Sequence, residues 1–510
     1  MCRASDCGNA ITPGTIGSRV HCPATDCPPL AICVPVRRDR LCPASERGSY
    51  RPAEVGRYPM RTLSFSNVLT RTLRVTLMGA VMMTLVPKGA TGGLPLFTAC
   101  MVAGATFLGA ARRPPTGQAG HLYGQGLLIC LAVAILAACQ AVSIPDNPFA
   151  HPVWVELRDG LGGEASTKAS ISIAPGATLI ASLSVLLPLI VFLAGVALFD
   201  TDRAALALWR FAAGVGFLFA VLGIVELQIA PDRFLFLLPK EYYVGSLTSL
   251  LVNRNTAGTL LGVACLTLAA LILARRLPGE RRTHEATGRA RLVMLVAAYG
   301  TTLVGLFLTR SRGALLATLI AHALFAILLV RTDVLTEGRR KLALIAACLA
   351  ALVLVVLAFG AQTIWRMEVQ GVDPERLCVY RSTWRAFQDN WIFGTGLGTF
   401  TDVFPAYRDP DCVGVRSLWN RAHNTWLEGL MTMGVVFVPL AAFSVVRLTG
   451  VFRTGLRTRR RMRPFAAAGA AVLCLVAVHG MVDFSLQIPG LAVYVAIVLA
   501  AATTLCLQRA

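Results

Sequence analysis

Long apolar runs, separated by short polar segments, follow one another from about residue 70 to the end of the chain. A helix that crosses a membrane needs about 20 mostly apolar residues, and runs of that length recur here. The pattern predicts an all-α polytopic integral membrane protein with about twelve transmembrane helices, or eleven if the short first run, beside Arg71 and Arg74, is not a span. The predicted spans are residues 72–87, 94–111, 126–145, 178–199, 204–229, 257–274, 292–308, 313–330, 342–361, 425–446, 465–483 and 490–508.

The composition agrees with a membrane protein and excludes several other classes. Of the 510 residues, 55% are hydrophobic and only 15% are charged, whereas soluble domains have about 25% charged residues. Together with a mean hydropathy of +0.64, this excludes a disordered chain, a collagen-like chain and a small disulfide scaffold. It also disfavours an ordinary soluble enzyme.

The net charge of +21 is distributed as membrane topology requires, and it does not indicate nucleic-acid binding. If the amino terminus is inside, the inner loops carry 20 basic and 6 acidic residues, and residues 1–75 carry 11 arginines and 5 acidic residues. The outer loops are then nearly neutral, so the positive-inside rule predicts cytoplasmic amino and carboxyl termini. The basic inner face favours contact with anionic membrane lipid. The inner loops are residues 112–121, 200–203, 275–291, 331–341 and 447–463.

Residues 1–60 differ from everything after them. They are rich in Pro, Gly, Arg and Cys, contain six of the 15 cysteines and lack an apolar run. We interpret them as a disordered tail, or as upstream sequence translated from a wrong start, with Met60 as the natural one. A zinc site built on the two C-x4-C pairs is the alternative. The remainder divides into nine spans over 61–361, a large structured periplasmic loop over 362–424 and three spans over 425–510.

Three arginines at outer helix ends run against the general charge trend. Arg254 precedes the span 257–274, and Arg310 and Arg312 occupy a short outer turn between two spans. Guanidinium groups suit bidentate contact with phosphate oxygens, and small residues beside them allow close approach. We therefore predict an anion site, with snorkelling to lipid headgroups as the alternative.

The large loop over 362–424 is rich in aromatic residues and arginine, which suits an anionic ligand with a flat or sugar-like body. Its two cysteines, Cys378 and Cys412, would lie in an oxidising compartment. A loop-closing disulfide between them is a hypothesis that the sequence leaves open.

His423 stands at the outer mouth of the span 425–446. Histidine is the usual general base near neutral pH, but a lone histidine is more often structural, so position alone leaves both roles open. The glycine run 394–398 lacks the full dinucleotide pattern, and we interpret it as a tight backbone turn. The Asp-x-Asp pairs at 200–202 and 409–411 are too short and common to predict a metal site.

A series of motifs resembles the O-antigen ligase and polymerase superfamily, which includes exopolysaccharide polymerases. Their order, spacing and outer placement carry the resemblance, which covers roughly residues 70–508. Trp391 and Thr432 depart from the Pro and Glu that are common in the family. The motifs are Asn253-Arg254-Asn255, Ser311-Arg312-Gly313, Arg376 to Tyr380, Phe393 to Phe400, Phe404 to Arg408, His423 to Gly434 and Asp483 to Pro489.

The resemblance implies a glycosyltransferase, without metal or other cofactor, on the outer face of the bacterial inner membrane. The donor would be a glycan on undecaprenyl diphosphate. The acceptor would be a glycolipid for a ligase or another lipid-linked glycan for a polymerase, and the sequence does not separate the two. His423 and Asn424 would be the catalytic residues. Arg254, Arg312, Arg310, Arg376 and Arg381 would bind the diphosphate, and Tyr380, Gly394, Gly396, Gly398, Tyr407 and Arg408 would contact the glycan or support the loop.

A transporter or flippase for lipid-linked polysaccharide, or a scaffold for its export, is the alternative. Transporters often show internal repeats and charges near the membrane midplane. This sequence shows no clear repeat, and its charged motifs lie at outer helix ends. A scaffold predicts that His423 and the outer arginines are dispensable.

Overall fold

The computed structural model describes residues 65–86, 88–162, 168–274, 285–332, 374–410 and 419–508. Within these residues, eleven helical segments are long and apolar enough to cross a membrane. The predicted all-α polytopic membrane fold is therefore confirmed. The predicted span 342–361 and the amino-terminal segment 1–60 lie outside the described residues.

Eight of the first nine helices match predicted spans, and α4 is a short helix in the loop between the third and fourth spans. The helices are α1 (Phe65–Leu85), α2 (Gly93–Ala111), α3 (Gly117–Ala141), α4 (Val153–Gly160), α5 (Pro175–Leu198), α6 (Asp202–Ile229), α7 (Arg254–Leu273), α8 (Glu285–Leu308) and α9 (Arg312–Arg331). Two short strands, β1 (Arg233–Phe234) and β2 (Leu238–Pro239), pair antiparallel between α6 and α7.

Two helices of the predicted large loop precede the final spans. They are α10 (Pro374–Asp389) and α11 (Phe400–Tyr407). The spans that follow are built from α12 (Thr425–Met433), a 3-10 turn (Gly434–Val436), α13 (Phe437–Thr458), a second 3-10 turn (Arg460–Met462), α14 (Arg463–His479) and α15 (Pro489–Leu507), with a third 3-10 turn (Ser485–Gln487) before α15.

The helices α7 and α15 form the centre of the bundle, because 89% and 94% of their apolar windows are buried inside the protein. Small residues permit the close helix packing that membrane interiors require. A Cβ added at Gly216 would lie 2.3 Å from Ala264 Cβ. Buried donors reach backbone carbonyls across helices, as Tyr494 Oη does to Ala212 O at 2.9 Å.

The two ends of the bundle differ in chemistry. At one end, which we call the site end, the amino-terminal ends of α7, α9 and α12 meet the turn of residues 480–488. At the opposite end, which we call the basic end, Arg74 pairs with Asp200 at 3.2 Å and Arg459 with Asp202 at 2.6 Å. Both carboxylates of the first Asp-x-Asp pair are thus held in ion pairs with arginine.

Candidate functional site

The site end is built around three capped helix starts. Asn253 caps α7 by accepting from Asn255 N, Ser311 caps α9 by accepting from Ala314 N, and Asn424 caps α12. Capping residues satisfy backbone donors that have no partner within the helix. Each helix start also carries a partial positive charge from its peptide dipoles. Three such starts at one end favour binding of an anion there.

Asp483 joins these helix starts into one group. It is 1% exposed, and its Oδ1 accepts from Asn255 Nδ2 at 2.8 Å. Asn255 Oδ1 in turn accepts from Ser311 Oγ at 2.8 Å. Ser485 Oγ donates to Asp483 Oδ2, and Thr425 Oγ1 donates to the Asp483 carbonyl at 2.9 Å. Asp483 therefore connects α7 and the 480–488 turn through its carboxylate and α12 through its backbone carbonyl, and it reaches α9 through Asn255.

His423 is held in a defined orientation beside this carboxylate. Its Nδ1 lies 3.9 Å from Asp483 Oδ1, and its ring packs edge-on between Trp419 and Phe484, at centroid distances of 5.1 and 4.8 Å. Its backbone has φ +54°, a conformation uncommon for residues other than glycine. Tyr380 Oη donates to the His423 carbonyl at 3.0 Å. With 19% of its side chain exposed, His423 remains accessible at the surface of the site.

Asn424 has a structural role as the cap of α12, in addition to the catalytic role predicted from the sequence. Its Oδ1 accepts from Trp426 N at 3.1 Å and from Leu427 N at 3.0 Å. The side-chain oxygen is thus committed to the start of α12. The predicted catalytic role of Asn424 is not tested by this geometry.

Two of the predicted arginines surround Tyr243, which follows the β1–β2 hairpin. The guanidinium of Arg254 lies 5.2 Å from the centre of the Tyr243 ring. Arg376 Nη1 donates to Val482 O at 3.3 Å, next to Asp483. Burial and the Asp483 carboxylate raise the pKa of Tyr243, whereas Arg254 and Arg376 lower it. The structure thus brings Arg254 and Arg376 together at one edge of the site.

The other three predicted arginines are all exposed, and they differ in their position relative to the site. Arg312 is the first residue of α9 and is exposed at the site end. Arg310 is also exposed, has φ +55°, and its Nη1 would lie 3.9 Å from a Cβ added at Gly245. Arg381 is exposed on α10, and none of the described contacts connects it to His423 or Asp483.

The glycines at 394, 396 and 398 are used for packing within the protein. All three have positive φ, and a Cβ at Gly394 would lie 2.4 Å from the Thr432 carbonyl carbon. At Gly396 it would lie 2.4 Å from Ser172 Oγ, and at Gly398 it would lie 2.6 Å from Ala181 Cβ. The predicted tight turn is therefore present. Its close approach in this structure is to protein atoms, and the contact of these glycines with a glycan stays a prediction.

Gln140 was not identified from the sequence, although it fixes this turn. It is fully buried on α3, donates to Phe393 O at 2.7 Å and to Thr432 O at 2.8 Å, and accepts from Leu397 N at 3.1 Å. A polar residue inside an apolar span is a signal that could have identified it.

Glu428 is a second residue that sequence reasoning missed. It is 3% exposed; its Oε2 accepts from Ala422 N at 2.7 Å, and its Oε1 binds Arg421 Nη1 at 3.0 Å. These contacts hold the turn just before His423. An acidic side chain in the first turn of an apolar helix is the signal that could have indicated it.

Tyr407 lies in the apolar cluster that packs α11 against α10, and Arg408 directly follows α11. Tyr407 Oη accepts from Asn390 Nδ2 at 3.3 Å, and burial and Asp389 raise its pKa. Arg408 is half-buried, and its Nη2 is buried without a hydrogen-bond partner in the described part of the chain.

The cysteine and metal predictions concern the same loop. Cys378 is disulfide-bonded, but Cys412 lies outside the described residues, so their pairing stays a prediction. Asp409 pairs with Arg385 at 3.2 Å. Among the residues described, no group of three or more His, Cys, Asp or Glu side chains is placed to hold a metal ion.

Comparison with known proteins places part of this site in a family. Residues 297–441 match the family model of the O-antigen ligases. No curated protein matches the chain. The resemblance predicted from the motifs is thereby confirmed, and it supports an O-antigen ligase-type function in general, that is, a glycosyltransferase of the ligase or polymerase type. The matched range contains His423 and Arg312, whereas Arg254 and Asp483 lie outside it.

Proposed function

We propose that this protein transfers or polymerises glycan from an undecaprenyl-diphosphate donor, at the outer face of the bacterial inner membrane. The observation that carries the proposal is the position of His423 beside buried Asp483, where three helix starts meet and Arg254 and Arg376 lie at one edge. The family match over residues 297–441 supports the same class of reaction.

The positive charge of the arginines and helix starts would stabilise the leaving group. When the bond between the anomeric carbon and the diphosphate oxygen breaks, its electron pair stays on the diphosphate, and negative charge increases there. Arg254 and Arg312, each the first residue of a helix, and Arg376, near the start of α10, would stabilise that charge. The helix dipoles of α7 and α9 act in the same direction. A fixed array of this kind does not need to reorganise during the reaction.

His423 would act on the acceptor. The acceptor hydroxyl oxygen forms the new bond to the anomeric carbon, and its proton must pass to a base. Because Nδ1 of His423 faces Asp483, Nε2 is the nitrogen that would accept this proton. Asp483 would position the ring and stabilise the imidazolium, as a buried carboxylate does beside a catalytic histidine. The proton would then pass from His423 to water.

The proposed reaction has two partners. The donor is a lipid-linked glycan whose diphosphate lies at the membrane surface, and the acceptor is a glycan or glycolipid hydroxyl. A ligase and a polymerase share the donor and the bond-forming step and differ in the acceptor.

The test is complementation of a deletion strain with wild-type protein, His423→Ala, Arg312→Ala or Asp483→Asn. Arg385→Ala is the matched control, since Arg385 is an exposed arginine on α10 that pairs with Asp409 and was not predicted to bind the diphosphate. We expect the first three variants to lose at least about 10²-fold in transfer rate, and the control to retain activity. Membrane expression of each variant is checked in parallel.

Gels of surface polysaccharide then identify the reaction. Loss of chain length indicates a polymerase, and loss of attachment to a glycolipid indicates a ligase. If well-expressed His423→Ala and Arg312→Ala both restore wild-type polysaccharide, the proposed site is wrong. A transporter or scaffold for polysaccharide export would then explain the family match better.

A further inference from the structure

The β1–β2 hairpin between α6 and α7 has an unusual turn. Two of its residues, Leu235 and Phe236, have φ +52° and +64°. Three residues, Leu235 to Leu237, connect the two strands. Turn positions with positive φ normally hold glycine or asparagine, because bulky side chains are strained in the left-handed region. Large apolar residues at both positions indicate that their side chains are needed where the turn places them.

The base of the hairpin is firmly attached to the helix bundle. Lys240 Nζ lies 2.7 Å from Glu226 Oε1, near the end of α6, and the two side chains are only 4% and 3% exposed. Phe234 is buried, and Lys88 Nζ lies 5.8 Å from the centre of its ring. A buried ion pair tolerates little displacement, since separating the charges leaves each one desolvated. The hairpin is therefore held as a fixed projection.

The tip of this projection is apolar and exposed. Phe236, Leu237 and Leu238 are 38%, 76% and 49% exposed. We call these three residues the hairpin tip. Beyond residues 239–241, Tyr242 is 66% exposed, and Arg233 at the base is also exposed. Asp232 and Glu241 at the base are exposed as well, so the order from tip to base is apolar, then aromatic and charged.

The position of the hairpin identifies what the tip contacts. The candidate membrane span Asp202–Ile229 ends three residues before β1, and three residues extend at most about 11 Å. Ile229, the last residue of that span, is 71% exposed, as a lipid-facing residue would be. The hairpin therefore begins at the level of the membrane surface.

We propose that the hairpin tip inserts into the lipid at the site end of the bundle and anchors the hairpin to the bilayer. Apolar side chains would enter the acyl region, Tyr242 would lie at the interface, and Arg233 and Lys88 would contact lipid phosphates. The same segment leads to Tyr243, whose ring contacts the Arg254 guanidinium. Anchoring the hairpin thus sets the height of Arg254 above the acyl chains.

The experiment measures the depth of the tip in the full-length protein. An environment-sensitive fluorescent amino acid is incorporated at position 237, and the protein is reconstituted into vesicles of phosphatidylethanolamine and phosphatidylglycerol without any polyprenyl lipid. Two further positions provide controls. Leu131 is 55% exposed in the middle of the α3 span, and Asp402 is an exposed acidic residue on α11.

We expect bromine-labelled acyl chains to quench position 237 several-fold more than position 402, approaching the quenching at 131. Aqueous iodide should quench position 402 but not 237. Equal iodide quenching at 237 and 402 would place the tip in water and overturn the proposal. Protection of 237 from both quenchers would also overturn it, because protein would then cover the tip.

A second measurement distinguishes insertion from a local folding defect. The variant Leu237→Ser removes apolar surface at an exposed position, whereas Glu226→Gln weakens the attachment of the base. With the probe at Phe236, Leu237→Ser should reduce bromolipid quenching while the thermal midpoint stays at the wild-type value. Unchanged quenching in Leu237→Ser would show that the tip does not depend on lipid contact, and it would contradict the proposal.

Discussion

Asp483 accepts hydrogen bonds from Asn255 and Ser485 through its two carboxylate oxygens and lies beside His423. Its partners lie as far as 228 residues away in sequence. A buried carboxylate costs free energy unless such partners satisfy it. The network is therefore a condition for the stability of the site end as well as for its proposed chemistry.

Removal of this carboxylate is the prediction at the scale of the residue. Asp483→Ala leaves the Asn255 amide without its acceptor, so we expect a loss of about 1–3 kcal/mol in unfolding free energy. In a double-mutant cycle with Asn255→Ala, the loss of unfolding free energy in the double variant should be about 1 kcal/mol smaller than the sum of the two single losses. Thermal unfolding in detergent measures both, with Asp402→Ala as the matched exposed control. Strict additivity would show that the two side chains are not coupled.

At the scale of the element, the starts of α7, α9 and α12 decide where the charged residues lie. Each helix begins at a capping side chain, and Arg254 and Arg312 are the first residues after two of these caps. His423 immediately precedes the third cap, Asn424. A cap determines which residue begins the helix, so these polar residues determine the position of the functional side chains beside them.

The cap of α12 provides the prediction at this scale. Asn424→Ala should destabilise the protein by about 1 kcal/mol, and Asn424→Ser should retain most of the stability because serine also caps. Thermal midpoints compare the two variants. Transfer activity separates the two roles of Asn424: a capping role predicts near wild-type activity for Asn424→Ser, and a catalytic role predicts that serine fails to restore it.

For the whole molecule, the separation of a basic end from the site end is the main feature. Lys and Arg concentrate in the inner loops defined by sequence, and the motifs that resemble the family concentrate at the other end. If positive charge determines orientation, the site end faces away from the cytoplasm. The site end would then bind a lipid-linked donor after that donor has crossed the membrane.

This orientation is testable with reporter fusions along the chain. Alkaline phosphatase should be active when fused after residue 160 or 390, in segments of the site end, and inactive when fused after residue 115 or 458, at the basic end. Green fluorescent protein fused at the same four positions should give the reverse pattern, which serves as the control. Active phosphatase at the basic end would reverse the topology and contradict the proposed outer-face reaction.

Much of the fold was predictable because membrane insertion depends on local composition. The free energy of transferring a helix into lipid is a sum over about 20 neighbouring residues. The eleven spans among the described residues therefore agree with the apolar runs identified in the sequence. The tight turn at 394–398 was predictable for the same kind of reason, since glycine permits positive φ wherever it stands.

The composition of the site was predictable only in part. His423 and the arginines at the starts of α7 and α9 could be named because charged or titratable residues at apolar helix ends are unusual. Gln140 and Glu428 could not be given roles, because their importance lies in hydrogen bonds to segments such as Phe393 and Ala422 that only folding brings near.

The sequence by itself thus determined the positions of the spans that the structure describes, the asymmetry of charge and the set of candidate side chains, all of which depend on residues close together in the chain. Only the tertiary structure decided that Asp483 stands beside His423, that the glycine turn packs against protein, and that Arg254 stacks on Tyr243. These contacts join residues tens to hundreds of positions apart in most cases. They depend on how the helices pack against one another, which local hydropathy does not specify.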